Sequence, residues 1–468
     1  MSARRVGDVS GSEPMSLQTA TPHVGEAGAS GADGDGGWLL CHGVKSLLRC
    51  DEAEVVKGIA RYVMSQHRSL RLGSALMERT RGTPVPAVFA LLGALTRFLE
   101  VRAGARRDGA VWVARLGNER RAVEPLAASA PELNWTELKF RRRPDLAALA
   151  ALARSLFKGW PRTLKIARRL HRRYEFFRVL RVAELVGYYA RYLGLFRGGR
   201  FRLAVMSSHS NPHGVAFNLA ARRRGVPVVL LTHGMPVRPV ARLSYDLALV
   251  HCEAARRTYV EEGCRMGRVL VQGRRQHYSP MPAGPLPERL SVGVFLCKDV
   301  NEGVLRDLVE RLLLSPRVAR VLVRPHPKNL WKGLDAWIEA RDEPRLRRNS
   351  GGSVFRDLGA TDIVLAGNSS VLVDAVTAGR PSAYVRGIDY GSHDLHAFVA
   401  RGLIFPFDES GFDPDAMLRF YQRPDWPDAL RLFANVDEDE ASVTARLRAA
   451  LRELAARGRE RDARTPAE

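Results

Sequence analysis

The stretch VLAGNSSVLVDAVTAGRPSAYV (residues 364–385) places small polar residues between two apolar runs. The pattern predicts a short buried strand, then a helix that Gly379 ends, then a second strand that begins after Pro381. Ser369 or Ser370 at the start of the helix can cap it. Together with Asn368 the same residues can instead hold an anion at the positive end of the helix. The sequence leaves both interpretations open.

The same alternation of strands and helices extends outward from this stretch in both directions. Short apolar strands separated by helices are typical of parallel sheets that are covered on both faces. A Pro-rich segment, "RRQHYSPMPAGPLPER" (residues 274–289), separates two such cycles. The sequence therefore predicts an α/β fold with two successive Rossmann-like domains joined by a linker. The first cycle contains "RLAVMSSHS", "VPVVLLTHG", "LALVHC" and "RVLVQG", and the second contains "SVGVFLC", "VARVLVRPHP", "TDIVLAGN" and "RPSAYV".

The predicted domain boundaries follow changes in composition. We expect a disordered Gly-, Ser- and Ala-rich tail, a first domain with extra N-terminal helices and a long basic helix, a second domain, and C-terminal helices that pack back on the first domain. The apolar run "VPAVFALLGAL" (residues 85–95) is too short to cross a membrane and predicts a buried helix. The four expected segments are residues 1–36, 37–280, 288–412 and 413–468.

Positive charge is concentrated in one part of the chain. The formal net charge is +23, and the segment from Lys139 to Arg202 holds eighteen Lys or Arg residues against three acids. This clustering indicates an anionic partner. Residues 161–196 mix arginines with Phe, Tyr and Leu, which suits adsorption to an anionic membrane surface or, equally, a solvated basic face over a buried apolar stripe.

The five cysteines are odd in number and form no closely spaced pair, which favours reduced thiols and a cytoplasmic protein. No signal peptide is expected at the N-terminus. The expected location is the cytoplasm, with a peripheral position at the inner face of the cell membrane if residues 161–196 bind that surface.

Polar residues follow three predicted strands, at the ends where parallel α/β sheets bind ligands. In "LLTHGMP", His233 is a candidate general base beside Gly234, or a loop histidine that bonds to the backbone. In "VLVRPHPKN", Arg324, His326 and Lys328 alternate with prolines that stiffen the loop. Such a loop can hold donors toward an anion, or it is a Pro-rich turn with solvated side chains.

A further strand end, "SSHSNPHG" (residues 207–214), offers His209, Asn211 and His213 as residues of an acceptor cleft. The alternative is that Ser210 or Asn211 only caps a helix that begins at Pro212. No DxD-like pair sits at the end of a predicted strand, no GxGxxG motif occurs, and His393 with His396 lacks an obvious third ligand. We therefore expect neither a metal nor a dinucleotide cofactor. Without an aromatic platform or a nucleic-acid motif, nucleic acid is not the expected partner.

The set formed by "HG" in the first domain and by "RPHP" and "SS…D…GRP" in the second resembles the GT-B glycosyltransferases that build bacterial surface polysaccharides. The nearest groups are capsule-type transferases that use CMP-activated acidic sugars and the CDP-glycerol glycerophosphotransferases. The resemblance covers roughly residues 200–390. The acidic motif that some bacterial sialyltransferases carry in the first domain has no clear counterpart.

The resemblance implies a GT-B-like fold in which two Rossmann-like domains face each other across a cleft, acceptor side first and donor side second. It implies that His326, Ser369 and Ser370 contact the phosphates of the donor, and that His233 lies near the reacting centre. The expected activity is inverting, metal-independent transfer of a sugar or polyol phosphate from a CMP- or CDP-linked donor to a surface polysaccharide or glycolipid. The alternatives are a GT-B-like sugar-nucleotide epimerase and a non-enzymatic basic module that binds nucleic acid or an anionic polymer.

Overall fold

Two separate sheets organise the chain, as the alternating apolar runs predict. All the residues that the structure describes belong to the unit Asp35–Ala467. The structure, a computed structural model, describes residues 68–80, 82–102, 108–140, 171–172, 174–209, 211–232, 234–236, 238, 240–272, 281, 285–327, 331–349, 352–389, 393–407, 411–434 and 438–464.

The first sheet has seven strands in the order β1-β3-β2-β4-β5-β6-β7. All neighbours are parallel except β1 and β3, which pair antiparallel. The central strands β2, β4 and β5 end in buried apolar runs, as expected where both faces of the sheet are covered. The strands are β1 (Val101–Arg102), β2 (Asp108–Val113), β3 (Thr136–Phe140), β4 (Arg200–Met206), β5 (Val228–Leu231), β6 (Ser244–Val250) and β7 (Arg265–Val271).

The second sheet has six strands, all parallel, in the order β10-β9-β8-β11-β12-β13. The prediction of an α/β fold with two Rossmann-like sheets is confirmed. The predicted domain boundaries and the cleft between the domains stay predictions. The strands are β8 (Leu290–Phe295), β9 (Val318–Arg324), β10 (Leu346–Arg348), β11 (Ile363–Ala366), β12 (Ser382–Val385) and β13 (Phe405–Phe407).

Helices connect the strands and cover both sheets. The described helices are α1 (Arg68–Arg79), α2 (Val85–Glu100), α3 (Gly117–Ser129), α4 (Phe176–Arg197), α5 (Pro212–Arg223), α6 (Glu253–Glu261), α7 (Glu302–Leu314), α8 (Leu334–Ala340), α9 (Val354–Gly359), α10 (Val371–Thr377), α11 (Pro414–Tyr421), α12 (Trp426–Phe433) and α13 (Glu440–Arg464).

Helix α4 is a core helix, and this changes the expectation for residues 161–196. It packs between α2 and α5. Its aromatic side chains are buried, with Tyr188 at 1%, Tyr192 at 0% and Phe196 at 5% exposure. The apolar residues expected at a membrane surface therefore lie inside the protein from residue 176 onward. Residues 161–170 lie outside the described part of the chain.

The C-terminal helix α13 returns to the first sheet, as the sequence predicts. Val443, Leu447 and Leu451 join an apolar cluster with side chains of β2 and β4 such as Trp112 and Val205. The first sheet is thus completed by residues that follow the second sheet in the chain.

Helix α2 is only half buried, although the sequence predicts a buried helix. Ala87, Ala90 and Ala94 are buried, whereas Phe89 and Leu92 are 48% and 50% exposed. Within the described ranges, no helix combines the length and the apolar character that a membrane crossing requires.

Candidate functional site

Two loops leave the carboxyl edge of the second sheet where the sequence predicts an anion site. Strands β9 and β11 are both neighbours of β8. Phe295 at the end of β8 pairs in register with Arg324 of β9 on one side and with Ala366 of β11 on the other. Neighbouring strands lie ~4.8 Å apart, so the two loops start about 10 Å from each other. One small anion such as a diphosphate can span that distance.

The loop after β9 begins at Arg324 and carries the exposed His326 between two prolines. Arg324 is anchored: its Nη1 atom is ion-paired with the carboxylate of Asp357, and its Nη2 atom donates to the carbonyl oxygen of Gly352 at 2.9 Å. The guanidinium therefore fixes the base of the loop, and its predicted contact with phosphate stays a prediction. Lys328 lies outside the described residues.

The side chain of Asn368, which follows β11, is engaged within the protein. Its Nδ2 atom donates to Asp389 Oδ1 at 3.1 Å and to the hydroxyl of Tyr384 at 3.3 Å. Its Oδ1 atom accepts from the backbone N–H of Leu395 at 2.8 Å. Both amide hydrogens are used, so none remains for a phosphate in this arrangement. Asn368 shapes the loop, which differs from the phosphate contact that the sequence predicts.

Ser369 and Ser370 lie between Asn368 and helix α10, and both are half-buried. The Ser369 hydroxyl accepts weakly from the N–H of Val371 at 3.4 Å. Ser370 occupies the N-cap position, but its side chain makes no capping hydrogen bond. The simple helix-cap interpretation therefore does not account for Ser370. Phosphate contact by the two hydroxyls stays a prediction.

One buried carboxylate, Asp389, holds this edge of the second sheet together. It is 8% exposed and accepts from the backbone N–H of Asn368 at 2.6 Å. Asp389 also forms an isolated bridge with Val300, which places the loop after β8 against the loop after β12. Burial, and next the negative charge of Asp389 with a hydrogen bond to it, raise the pKa of the Cys297 thiol well above its ordinary value. The thiol is therefore neutral and donates to the carboxylate.

Gly367 is required where the loop after β11 passes Asp389. A Cβ atom at this position would lie 2.4 Å from Asp389 Oδ2, well inside van der Waals contact. The glycine thus allows the backbone to approach the carboxylate closely enough for the 2.6 Å hydrogen bond of the next residue.

A cavity of about 1010 Å³ adjoins this loop on the side of Tyr384. Tyr384 lines the cavity and accepts from Asn368. Burial, and next the charges of Asp389 and Asp394, raise the pKa of Tyr384 to about 12. The hydroxyl is therefore protonated at neutral pH. Other lining residues are Asp307, Arg311, Arg386, His393 and Phe407.

The carboxyl edge of the first sheet holds the predicted acceptor residues. Met206 of β4 is in register with Val113 of β2 and with Leu230 of β5, so the loops that follow start side by side. His209, in the loop after β4, has its Nδ1 atom 2.9 Å from the hydroxyl of Tyr259 on helix α6. Tyr259 is 0% exposed.

The structure describes two of the other predicted residues at this edge, Asn211 and Gly234, but not His233. Asn211 precedes helix α5, which begins at Pro212 as predicted, but it donates to Ser208 Oγ at 3.1 Å and makes no capping bond. Gly234 is half-buried in the loop after β5. His233 lies outside the described residues, so its role as general base stays a prediction.

A buried Glu–His pair at this edge escaped the sequence interpretation. Glu119 and His213 are 0% and 2% exposed, and Glu119 Oε2 lies 3.2 Å from His213 Nε2. The same oxygen accepts from the N–H groups of Arg115 at 2.7 Å and Leu116 at 3.1 Å. His213 is therefore a core residue and does not line an open cleft. The one available signal was the acid in the first turn of a helix that follows a strand.

Contacts with three residues lower the pKa of Glu119 against the effect of burial. Burial alone would raise this pKa, but the hydrogen bond and charge of His213, together with the N–H groups of Arg115 and Leu116, lower it to about 2. The carboxylate is therefore ionised at neutral pH and ties α3 to α5.

Searches for similar proteins give structural similarity only. No family model and no curated protein matches the sequence. Among solved structures, CalG4, the calicheamicin glycosyltransferase, is 13% identical with a TM-score of 0.46, covering 76% of this chain and 99% of its own. A UDP-N-acetylglucosamine 2-epimerase is 13% identical with a TM-score of 0.42, covering 73% and 94%. MurG of Acinetobacter baumannii is 11% identical with a TM-score of 0.36, covering 74% and 99%. Similarity at this level carries no argument about activity. The fold itself is α/β, with two sheets of mostly parallel strands.

Proposed function

We propose that this chain is a nucleotide-sugar-dependent glycosyltransferase whose donor phosphates bind at the carboxyl edge of the second sheet. The observation that carries the proposal is the pair of loops after β9 and β11. One presents the exposed His326, and the other presents Ser369 and Ser370 on a backbone that Asp389 holds. Such an arrangement focuses hydrogen-bond donors on one small anion, which a polymer-binding surface does not need.

The chemistry follows from the charge of the leaving group. When the bond between the sugar and the phosphate oxygen breaks, negative charge grows on the departing nucleotide. Donors that are already oriented stabilise this charge, and the loss of one such donor costs about 3 kcal/mol of transition-state stabilisation. His326 and the two serine hydroxyls are the proposed donors, so the reaction needs no metal to hold the phosphates.

The first sheet is proposed to bind the acceptor. Burial raises the pKa of Tyr259 well above its ordinary value, so its hydroxyl stays protonated, and we propose that it donates to His209 Nδ1, 2.9 Å away. That hydrogen bond places the proton of the neutral imidazole on Nε2. His209 is then a hydrogen-bond donor toward the acceptor. His233 is the proposed general base that removes the proton from the acceptor hydroxyl as it attacks the sugar.

The finer proposal is inverting transfer from a CMP- or CDP-linked donor to a polysaccharide or a lipid-linked precursor. It rests on the resemblance of "RPHP" and "SS…D…GRP" to the surface-polysaccharide transferases. It also fits the positive charge of the chain, which suits an anionic polymer.

Thermal shift with CMP, CDP and UDP tests the donor site. We expect at least one nucleotide to stabilise the wild type, and His326→Ala to lose most of that stabilisation. Arg347→Ala is the matched control, because Arg347 is an exposed cation in the middle of β10 of the same sheet. Equal stabilisation of wild type and His326→Ala would remove the phosphate site from this edge.

Assays with nucleotide sugars distinguish the transferase from an epimerase and from a non-enzymatic basic module. Nucleotide release from activated sugars that requires a cell-surface glycan acceptor supports the transferase. Isomerisation of the nucleotide sugar without any acceptor would instead identify an epimerase. No response to any nucleotide, together with salt-sensitive binding to RNA, would identify a non-enzymatic basic module.

A further inference from the structure

Helix α2 presents its large apolar side chains outward and its small ones inward. Ala87, Ala90 and Ala94 are at most 2% exposed on the inner face. On that face the helix packs against α4, where a Cβ atom at Gly187 would lie 2.0 Å from the carbonyl oxygen of Ala94. The two backbones therefore approach so closely that the inner face has no room for larger side chains.

The opposite face of α2 carries Val85, Val88, Phe89 and Leu92, which are 39%, 42%, 48% and 50% exposed. Their spacing of three and four residues places them in one stripe. Helix α1, which precedes α2 in the chain, carries a second pair of exposed apolar side chains, Leu72 at 65% and Leu76 at 59% exposure. We name these six side chains the outer apolar face.

A helix at a protein surface ordinarily turns polar residues to the solvent. Clustered exposed apolar side chains of this size mark a contact with a partner or a membrane. Elsewhere in the described residues the exposed large apolar side chains are scattered singly along the chain: Leu116, Val260, Leu314 and Phe355.

Positive charge adjoins the outer apolar face. Arg79, the last residue of α1, is exposed. His171 and Arg172 line a small cavity together with Gly82 and Thr83 of the α1–α2 turn and Ala87 in the first turn of α2, and Arg172 is exposed. His171 and Arg172 both belong to the strongly basic stretch of sequence from Lys139 to Arg202.

The outer apolar face could contact a second copy of the chain or an anionic lipid surface, and the adjacent positive charge favours the lipid surface. A second copy of the chain would bring the same arginines against each other, and the net charge of +23 opposes that contact. An anionic lipid surface accepts both parts, since arginines pair with phosphates and apolar side chains enter the acyl boundary.

We propose that α1 and α2 lie in the plane of an anionic membrane surface, with the outer apolar face inserted and Arg79 and Arg172 on the lipid headgroups. The contact is independent of the transferase proposal. The sequence suggested such a surface for residues 161–196, but the apolar residues of that range from residue 176 onward are mostly in the core.

Co-sedimentation of the full chain with vesicles tests the proposal. The vesicles contain phosphatidylcholine alone, or phosphatidylcholine mixed with phosphatidylglycerol. We expect binding to the mixed vesicles only, and a reduction of about tenfold or more in the vesicle partition coefficient of Phe89→Ser/Leu92→Ser, because burial of two large apolar side chains is lost. The matched control is Val260→Ser/Leu314→Ser. The wild-type side chains are 49% and 82% exposed and lie on helices α6 and α7.

Several outcomes would overturn the proposal. Equal binding of wild type and Phe89→Ser/Leu92→Ser would show adsorption by charge alone. A dimer in analytical ultracentrifugation that only this variant abolishes, without vesicle binding, would assign the face to a second copy. A lower thermal midpoint of the variant without vesicles, relative to the control variant, would show that the chain itself covers the face.

Discussion

The carboxyl edges of the two sheets are built in opposite ways. At the first sheet, Glu119 and His213 are buried together and join two helices that follow different strands. At the second sheet, the buried Asp389 binds backbone and side chain of a loop, and the loop after β9 leaves His326 exposed. The contact of Glu119 with His213 joins two helices, whereas the hydrogen bonds of Asp389 to Asn368 fix the path of a loop. At the first edge, the carboxylate of Glu119 therefore contributes mainly to the stability of the fold. At the second edge, the carboxylate of Asp389 contributes mainly to the shape of a loop.

The largest effect is expected where the first edge is broken. Glu119→Ala leaves His213 buried without its partner and removes the acceptor of two N–H groups. Removing one member of a buried pair typically costs about 3–5 kcal/mol. Thermal and denaturant unfolding should show this loss. Glu124→Ala, on the exposed side of the same helix, is the control and should change stability by about 1 kcal/mol or less.

The pH dependence of stability gives a second test of the role of Glu119. The pKa of Glu119 is about 2 in the folded chain, below its ordinary value of 4.5. A carboxylate with a lowered pKa contributes stability that is complete above the unfolded value and is lost as the pH falls. The difference in thermal midpoint between wild type and Glu119→Gln should therefore shrink from pH 4.5 toward pH 2. A difference that stays constant over this window would contradict the assignment.

At the second edge, Asp389→Ala should alter the loop more than the fold. It removes the acceptor of the Asn368 N–H and of its Nδ2 atom. Hydrogen bonds to a charged group contribute about 1.5–3 kcal/mol. We expect a moderate fall in thermal midpoint and loss of the nucleotide-dependent stabilisation. The exposed Asp428→Ala serves as control. Retention of the nucleotide response in Asp389→Ala would separate the loop from the donor site.

Backbone packing at the first edge can be tested with a pair of glycines. A Cβ atom at Gly214 of α5 would lie 1.9 Å from the carbonyl oxygen of Ser208, so Gly214→Ala should destabilise the chain by about 1–3 kcal/mol. Gly194 of α4 has open space around it. Gly194→Ala should therefore stabilise the helix by about 0.5–1 kcal/mol. Opposite signs in a denaturant titration are the expected result.

The smallest effect is expected at the tyrosine that orients His209. Tyr259→Phe removes one hydrogen bond to the Nδ1 atom and should cost about 1 kcal/mol. The ¹⁵N chemical shifts of the imidazole report its tautomer, and the wild type should show the proton on Nε2. An unchanged tautomer ratio in Tyr259→Phe would mean that another contact sets the orientation of the ring.

The sequence predicted local elements well and long-range partners poorly. Strand β11 and helix α10 follow directly from the apolar runs on either side of Asn368, because each run is bounded by turn residues. The hydrogen bonds between Asn368 and Asp389 join residues 21 positions apart, and those between Glu119 and His213 join residues 94 positions apart. No local pattern carries that information, since it depends on which loops the sheet order brings together.

The prediction for α2 failed for a different reason. Its run is apolar on all sides, and such a run has the same pattern whether a face meets the core or lies open. The inner face is set by packing on α4, for example by the close approach of Ala94 to Gly187, and these two residues are 93 positions apart in the chain.

The return of helix α13 to the first sheet has a consequence for biosynthesis. The ribosome makes the strands of the first sheet early. One apolar face of this sheet stays partly uncovered until helix α13, which packs on it, has been translated. A nascent chain that stalls before residue 440 would expose that face to chaperones and proteases, so folding of the earlier half is coupled to completion of the later one.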